Sequence, residues 1–333
     1  MVGVGLVKEM RKLKVFVPEV EEPETLDVLR EIADVKTGEI GQPYSEEDLA
    51  REMRDTNVVI ITSQYRITKD LIDRAPKLRG IVKYGSEPGL DNVDMNAANE
   101  RRIQVSYTRG ANSDSVAEFT IALTFALAKK LHNIMTLVKK NEWRNDSCFG
   151  VELLEKTVGI IGLGVVGCKV ATKLSYLGMR VLATDPYVSS DKADSVHAKL
   201  TDLKTLLSQS DVVCVHAQVR DENKHMIGRG ELALMKPTAY FVNTARGILV
   251  DEEALYEALR DGKIAGAAMD VFETEPPVDS PFSSLENVIL TPHIASWTSD
   301  ALKKEASAAV EEARRILLGI RPMNLVNPQV LVS

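Results

Sequence analysis

The sequence predicts an α/β fold that contains two parallel β-sheets. Short apolar runs alternate with amphipathic segments through the first hundred residues, and a second alternation runs from Thr157 to about residue 291. A helix between two strands places those strands in parallel, because the helix crosses the sheet from one to the other. The 333 residues are enough for two domains, each with its own core.

The first alternation contains predicted strands at Lys14–Val17, Val58–Thr62, Gly80–Lys83 and Ile103–Ser106. A long helix follows, in which Ser115 and Glu118 have the spacing of a capping box. The apolar stripe of this helix continues to about Val138, so we expect one continuous helix over that range.

The second alternation contains predicted strands at 157–161, 180–184, 212–216, 239–243, 264–269 and 288–291. Parallel strands with intervening helices make a doubly wound sheet. A last helix, from about Ser299 to Leu318, lies beyond the final strand. Its apolar face needs a partner, and we expect it to pack on the first domain.

A GxGxxG motif lies between a strand and a helix start in the segment Thr157–Gly167, which reads TVGIIGLGVVG. Gly162 allows the tight turn, and Gly164 lets the backbone approach a pyrophosphate. Gly167 lets the helix pack closely on the strand. The free N–H groups of the helix start then point at the phosphates, so the motif predicts a dinucleotide site.

An acid, Asp185, ends the next strand about twenty residues further on, which is the spacing expected for binding both hydroxyls of an adenosine ribose. The carboxylate would repel a 2′-phosphate. Neither Pro186 nor Tyr187 supplies a compensating arginine. The sequence therefore predicts NAD as the cofactor, in preference to NADP.

Composition narrows the class of protein. The chain carries 41 Lys and Arg against 48 Asp and Glu, which argues against nucleic acid as a partner. The sequence contains no run of about eighteen uncharged apolar residues, so no membrane span is predicted. The three cysteines have no CxxC spacing, so no metal site is predicted. The first residues place an apolar stretch before basic ones, the reverse of a secretory signal, and the expected location is the cytoplasm.

Two of the five histidines fall just past predicted strand ends, where doubly wound sheets bind their ligands. His216 follows an earlier strand on the adenosine side, so we expect it to contact the nucleotide. His293 follows the last strand and is the better general acid or base.

Two charged residues follow strands on the same half of the sheet, Arg246 in NTARG and Glu275 in DVFETEPP. Hydride transfer to a 2-oxo acid requires a proton donor for the carbonyl oxygen and a cation for the substrate carboxylate. It also requires a carboxylate that orients the imidazole. His293, Arg246 and Glu275 fit these roles in that order.

These motifs resemble those of the D-isomer-specific 2-hydroxyacid dehydrogenases, a family that includes phosphoglycerate dehydrogenase and glyoxylate/hydroxypyruvate reductase. The resemblance covers nearly everything from Lys14 to Asn327, through GLDNVD (89–94), NSDSVAE (112–118), WR at Trp143, GIIGLGVVG, NTARG, DVFETEPP and TPHIAS. It implies an NAD-binding Rossmann domain, residues 108–301, inserted into a split flavodoxin-like substrate domain, residues 1–107 plus 302–333. It also implies a homodimer that pairs through the cofactor domain.

The resemblance also implies that Arg246, Glu275 and His293 are the catalytic residues. Together with the residues argued above, the expected cofactor-binding set is Gly162, Gly164, Val165, Val166, Gly167, Asp185, His216, Thr244, Ala245, Arg246, Asp270, His293, Ala295 and Ser296. The expected substrate-binding set is Tyr84, Gly85, Ser86, Arg246 and His293.

The substrate loop, KYGSEPGLDNVD, departs from the family pattern. Pro88 has no N–H to donate, and Glu87 places a negative charge near an anionic ligand. Thr62 stands where phosphoglycerate dehydrogenases usually carry an arginine, and the chain ends near its last helix, so no appended regulatory domain is expected.

The expected reaction therefore interconverts a small 2-oxo acid and its D-2-hydroxy acid, as in glyoxylate/hydroxypyruvate reductases. Two alternatives stay open. One is D-3-phosphoglycerate dehydrogenase, and the other is a non-enzymatic, NADH-sensing protein similar to the corepressors of the family.

Overall fold

The computed structural model describes residues 13–19, 22–39, 41–62, 64–85 and 92–331. Within these ranges the chain forms two compact units. The first unit runs to Asn112 and resumes at Thr298, and the second unit is Ser113–Trp297. Each unit is built on its own parallel sheet, which confirms the predicted α/β fold.

The sheet of the first unit consists of β1 (Lys14–Val17), β2 (Asp34–Thr37), β3 (Val58–Ile61), β4 (Gly80–Lys83) and β5 (Gln104–Tyr107). All its strands are parallel, in the order β2-β1-β3-β4-β5, which is the flavodoxin-like order. Strand β2 has no counterpart among the predicted strands. This strand lies at the edge of the sheet and is largely exposed, so its residues (DVKT) contain no apolar run.

Helices of the first unit are α1 (Asp27–Arg30), α2 (Glu46–Met53), α3 (Lys69–Asp73), α4 (Met95–Glu100) and, after the second unit, α12 (Ser299–Leu317). Helix α12 buries Ala309, Ala313 and Ile316 against Val15 and Val82 of the sheet. The prediction that the last helix packs on the first domain is therefore confirmed.

The sheet of the second unit consists of β6 (Thr157–Ile161), β7 (Arg180–Thr184), β8 (Ala198–Leu200), β9 (Val212–Val215), β10 (Tyr240–Asn243), β11 (Gly266–Met269) and β12 (Val288–Leu290). Its order, β12-β11-β10-β9-β6-β7-β8, is that of a doubly wound nucleotide-binding sheet. The six predicted strands are present, and β8 is an edge strand of three residues that was too short to give a pattern.

Helices of the second unit are α5 (Ser113–Ala128), α6 (Leu131–Ile134), α7 (Val165–Tyr176), α8 (Ser190–Asp194), α9 (Leu203–Gln209), α10 (Arg229–Leu232) and α11 (Glu252–Arg260). Single 3₁₀ turns occur at Pro23–Leu26, Val138–Lys140, Asp146–Cys148, Asp221–Asn223, Gly247–Leu249, Pro281–Ser284 and Pro328–Leu331.

The predicted continuous helix from Ser115 to Val138 is wrong at both ends. Helix α5 begins at Ser113, so Ser115 lies inside it and cannot form the predicted cap. It ends at Ala128, and Lys130 has a left-handed backbone with φ 52°, which cannot continue a right-handed helix. The apolar stripe continues past this point, but the backbone does not.

No single helix in the described residues is long and apolar enough to cross a membrane. Ser113–Ala128 and Leu131–Lys140 pass that test only as a pair, bent by 67°.

Asn327 fixes the segment after α12 to the first sheet. Its Oδ1 accepts a hydrogen bond from Val105 N at 2.9 Å, and its Nδ2 donates to Ile103 O at 2.8 Å and to Asn99 Oδ1 at 2.9 Å. The side chain is buried, so water cannot replace these partners.

We expect Asn327→Ala to lower the free energy of unfolding by about 2–3 kcal/mol, because the backbone groups Val105 N and Ile103 O lose their partners. Urea unfolding followed by far-UV circular dichroism measures the change. The control is Gln329→Ala, an exposed position of the same segment where we expect a change within about 0.5 kcal/mol. Equal stability of the two variants would contradict this role for Asn327.

Candidate active site

Three segments of the second unit that contain charged or polar side chains follow the adjacent strands β10, β11 and β12. They span residues 244–247, 270–275 and 291–295. Because neighbouring parallel strands end at the same edge of a sheet, these segments come together although they are far apart in sequence. Arg246, Glu275 and His293 are carried by one segment each.

His293 and Glu275 form a hydrogen-bonded pair. His293 Nδ1 lies 2.7 Å from Glu275 Oε2, and the other oxygen, Oε1, accepts a hydrogen bond from Phe272 N at 3.0 Å. The side chains are 44% and 36% exposed, respectively. A carboxylate at Nδ1 fixes the ring and leaves Nε2 as the nitrogen that can exchange a proton with a reactant.

Glu275 has a lowered pKa. Partial burial favours the protonated carboxyl, but hydrogen bonds from His293 and from Phe272 N outweigh that effect. The positive charges of His293 and Arg246 act in the same direction. Glu275 is therefore ionised at neutral pH, as an orienting carboxylate must be.

Arg246 is held by the residue that ends β10. Asn243, fully buried, donates from Nδ2 to Arg246 O at 3.0 Å and accepts at Oδ1 from Ala245 N at 3.0 Å. The guanidinium donates to Ala245 O at 2.6 Å. The turn after β10 is thus fixed by a side chain from the strand itself, and it carries the cation of the predicted trio.

Gly247 lets the Arg246 segment contact the Glu275 segment directly. A Cβ atom at Gly247 would overlap the carbonyl group of Phe272 and the amide of Glu273. Only a residue without a side chain allows the two backbones to approach this closely. The distance between the Arg246 turn and the Glu275 loop therefore depends on this glycine.

Asp270 fixes the segment that carries His293. Its carboxylate is fully buried and accepts hydrogen bonds from Thr291 Oγ1 at 2.6 Å, Ile294 N at 3.0 Å and Ala295 N at 2.9 Å. His293 itself has a left-handed backbone, with φ 55°. The three bonds hold the chain on both sides of that uncommon conformation.

A second group of acids supports the Glu275 loop. Glu252 N donates to Glu273 Oε1 at 3.2 Å, and Glu273 N donates to Glu252 Oε1 at 2.6 Å. His225 Nε2 lies 3.1 Å from Glu273 Oε1. Burial, and then the charges of Glu273 and Glu275, raise the pKa of Glu252.

The glycine-rich turn between β6 and α7 fits a pyrophosphate. Gly162 has φ 91°, and a Cβ there would lie 2.6 Å from the Ala217 backbone. A Cβ at Gly167 would overlap the carbonyl oxygen of Gly162. A Cβ at Gly164 would meet nothing within 4 Å. Open space thus lies above the helix start, beside the exposed Val165 and half-buried Val166, where a phosphate would approach free N–H groups.

Asp185 stabilises this turn as well as ending β7. Its Oδ2 accepts from Leu163 N at 2.8 Å, and its Oδ1 accepts from Tyr187 N at 2.9 Å. The carboxylate therefore lies beside the glycine-rich turn, as the motif predicts for an acid that binds a ribose.

His216, after β9, has a buried Nε2 without a hydrogen-bond partner in the described part of the chain. Burial lowers its pKa to about 4, so the ring is neutral at pH 7. The backbone of His216 lies against Gly162, and a neutral ring nitrogen that lacks a protein partner is a group that a bound nucleotide could satisfy.

The remaining predicted residues are placed as follows. Thr244 Oγ1 lies 2.8 Å from Thr120 Oγ1 of α5, so its hydroxyl is engaged by that helix. Ala295 is buried, and Ser296 is half-buried next to it. In the first unit, Tyr84 OH donates to Leu302 O at 2.7 Å.

Gly85 N donates to Thr108 Oγ1 at 2.9 Å, so this amide is already bonded within the first unit. Ser86, Glu87 and Pro88 lie outside the described residues.

Comparison with known proteins identifies the family of this chain. Residues 121–295 match the model of the D-isomer specific 2-hydroxyacid dehydrogenase, NAD binding domain. A glyoxylate reductase from Thermofilum pendens is 37% identical over 97% of this chain and 96% of its own length. A D-3-phosphoglycerate dehydrogenase from Methanocaldococcus jannaschii is 37% identical over 95% of this chain, which spans 59% of that protein's length.

A glyoxylate reductase from Paecilomyes thermophila has a similar structure, with a TM-score of 0.86 and 26% identity over 96% of this chain and all of its own. The chain therefore belongs to the D-isomer-specific 2-hydroxyacid dehydrogenase family, and its second unit contains the NAD-binding domain of that family.

Several residues that build the site are not among those predicted from the sequence. Asn243 could have been found, because it ends a buried strand just as Asp270 follows one. The contacts of Glu252, Glu273 and His225 left no sequence signal, since these residues lie in three separate segments.

We expect Gly247→Ala to lower the free energy of unfolding by about 1–3 kcal/mol, because the added methyl group must displace backbone rather than a flexible side chain. Urea unfolding measures the loss. Gly230→Ala is the matched control at an exposed glycine of α10 whose Cβ would meet nothing within 4 Å, so we expect no loss of stability there. A Gly247 variant as stable as the wild type would contradict the close backbone contact.

Glu275 should contribute to stability in a pH-dependent way. Since its folded-state pKa lies below the ordinary value of 4.5, the contribution is fully present above pH 4.5. It is lost as the pH falls through the lowered value. We expect the wild type to exceed Glu275→Gln in unfolding free energy at pH 7, and the gap to narrow as the pH falls below 4.5.

Urea unfolding between pH 7 and pH 3 tests this expectation, with Glu286→Gln, an exposed site of the same unit, as the control. A gap that stays constant down to pH 3 argues against the hydrogen bonds assigned to Glu275.

Proposed function

We propose that this protein is an NAD-dependent D-2-hydroxyacid dehydrogenase that interconverts a small 2-oxo acid and its D-2-hydroxy acid. The observation that supports this most directly is the His293–Glu275 pair at 2.7 Å, with the charge of Arg246 acting on the same carboxylate. A proton donor, its orienting acid and a carboxylate-binding cation are the groups that such a reaction needs.

In the reduction, bound NADH would supply a hydride to the carbonyl carbon of the substrate. His293 Nε2 gives a proton to the carbonyl oxygen, and Glu275 compensates the charge on the ring at Nδ1. Arg246 binds the substrate carboxylate with its planar donors. In the reverse direction His293 takes the proton back from the hydroxyl group.

The proposed cofactor contacts are those expected from the sequence, with the pyrophosphate at Gly162–Gly167 and the adenosine ribose at Asp185. The open space at Gly164 and the unpartnered Nε2 of His216 support this assignment. Of the predicted substrate-binding residues, Arg246 and His293 retain the strongest support, because the amide of Gly85 is already bonded to Thr108.

The proposed substrate is a short 2-oxo acid such as glyoxylate or hydroxypyruvate. Relatives named glyoxylate reductase match this chain over nearly their whole length. Thr62 Oγ1 donates to Glu19 Oε2 at 3.2 Å, so this position presents a neutral hydroxyl beside an acid. That environment disfavours a phosphorylated substrate. Oxidation of 3-phosphoglycerate is therefore only the second candidate activity.

We further propose a homodimer that forms through the second unit in the cytoplasm. Large apolar side chains between α6 and β6 are 65–75% exposed, namely Met135, Val138, Trp143, Phe149 and Leu154. Exposed apolar groups in one region are typical of a surface that pairs. Three free cysteines are consistent with a reducing compartment.

We expect His293→Gln to lower kcat for NADH-dependent reduction of glyoxylate or hydroxypyruvate by about 10²–10⁴-fold, the scale of general acid catalysis. Loss of NADH absorbance measures the rate, across a panel that also contains 3-phosphohydroxypyruvate and longer 2-oxo acids. The control is His197→Gln, an exposed histidine where we expect no change.

Unchanged turnover in the His293 variant would remove this residue from the mechanism. Tight NADH binding without turnover on any 2-oxo acid would favour the NADH-sensing alternative. A preference for the phosphorylated substrate would favour phosphoglycerate dehydrogenase.

A further inference from the structure

Tyr187 and Arg220 form a stacked pair at the adenosine end of the predicted cofactor site. The guanidinium carbon of Arg220 lies 4.5 Å from the centroid of the Tyr187 ring. Tyr187 comes from the segment after β7 and Arg220 from the segment after β9, and these strands lie on either side of β6. The two segments therefore flank the glycine-rich turn that follows β6.

Both members of the pair are held in place. Tyr187 N donates to Asp185 Oδ1 at 2.9 Å, so the tyrosine is tied to the acid that would bind the ribose. Arg220 N donates to Asn223 Oδ1 at 2.7 Å, and Asn223 Nδ2 donates to Gln218 O at 2.8 Å. The side chain of Asn223 thus holds the backbone on both sides of Val219, next to Arg220.

This arrangement places the positive charge of Arg220 over the ring of Tyr187, two residues after Asp185. Asp185 alone would repel the 2′-phosphate of NADP, because two negatively charged groups would lie close together. A guanidinium has planar donors that match phosphate oxygens, and stacking on a ring leaves those donors free to point outwards at the edge of the plane. Arg220 and Tyr187 are both exposed, so a ligand can reach the guanidinium.

We propose that Arg220 is a specificity-determining residue that offsets the repulsion between Asp185 and a 2′-phosphate, so that the protein binds NADP(H) as well as NAD(H). The proposal rests on the cofactor site assigned in the proposed function. It assigns to a residue after β9 a charge that the sequence after β7 lacks, since Pro186 and Tyr187 are both neutral.

The test is a fluorescence titration of the full chain with NADH and with NADPH, without substrate, so that binding is measured separately from turnover. We expect measurable binding of both. Arg220→Gln should weaken NADPH binding by about three- to fivefold and NADH binding by less than about twofold, the scale of one exposed ion pair. Arg220→Lys should retain part of the NADPH affinity, because it keeps the charge.

The matched control is Lys224→Gln, which removes a positive charge that pairs with Asp221 in the same segment. We expect it to change both dissociation constants by less than about twofold. Asp185→Ala should strengthen NADPH binding. The effect of Arg220→Gln can then also be measured in the Asp185→Ala variant.

Three results would overturn the proposal while leaving the proposed function intact. They are NADH binding without detectable NADPH binding, equal weakening of both ligands in Arg220→Gln, and an equal effect of Lys224→Gln. Failure of both dinucleotides to bind the wild type would overturn the cofactor site itself, and this proposal with it. If the Arg220 variants change NADPH affinity as expected but the wild type reduces no 2-oxo acid, only the proposed enzymatic activity is contradicted.

Discussion

The candidate active site depends on the buried carboxylate of Asp270. A fully buried acid is stable only when donors satisfy its oxygens, and Asp270 has three, from Thr291, Ile294 and Ala295. These bonds join the end of β11 to the segment after β12 and hold His293 in its left-handed conformation. Asp270 therefore sets the position of the imidazole through the backbone, since its three hydrogen bonds go to residues on either side of His293.

The other two catalytic candidates are positioned by the same means, namely buried polar side chains at strand ends and close backbone contacts. Asn243 fixes the turn that carries Arg246, and Gly247 lets that turn meet the backbone of Phe272 and Glu273. The reciprocal bonds of Glu252 and Glu273 hold the far side of the Glu275 loop. Rigid support of this kind keeps reacting groups within the small tolerances that catalysis requires.

The dinucleotide site uses the same construction at the opposite side of the sheet's centre. Gly162 and Gly167 allow the turn to fold onto the helix start, and Asp185 accepts a hydrogen bond from that turn. The carboxylate proposed to bind the ribose therefore also helps to hold the turn proposed to bind the pyrophosphate. His216 adds a neutral ring whose buried Nε2 has no hydrogen-bond partner within the described residues.

Local patterns in the sequence determined the fold class, the four predicted strands of the first sheet and the six of the second. A buried parallel strand is a short apolar run, and such runs are visible without coordinates. The edge strands Asp34–Thr37 and Ala198–Leu200 were missed because one is mostly exposed and the other has only three residues. The end of helix α5 was missed because the left-handed Lys130 interrupts the backbone while the apolar spacing continues.

The sequence by itself also determined which residues follow strand ends, and hence the identity of Arg246, Glu275, His293 and Asp185 as candidates. Only the tertiary structure decided how these residues are held and which charges are near them. Glu252 pairs with Glu273, and Arg220 stacks on Tyr187, across separations of 21 and 33 residues. Contacts between separate loops depend on the order of strands in the sheet, and no local pattern of residues encodes that order.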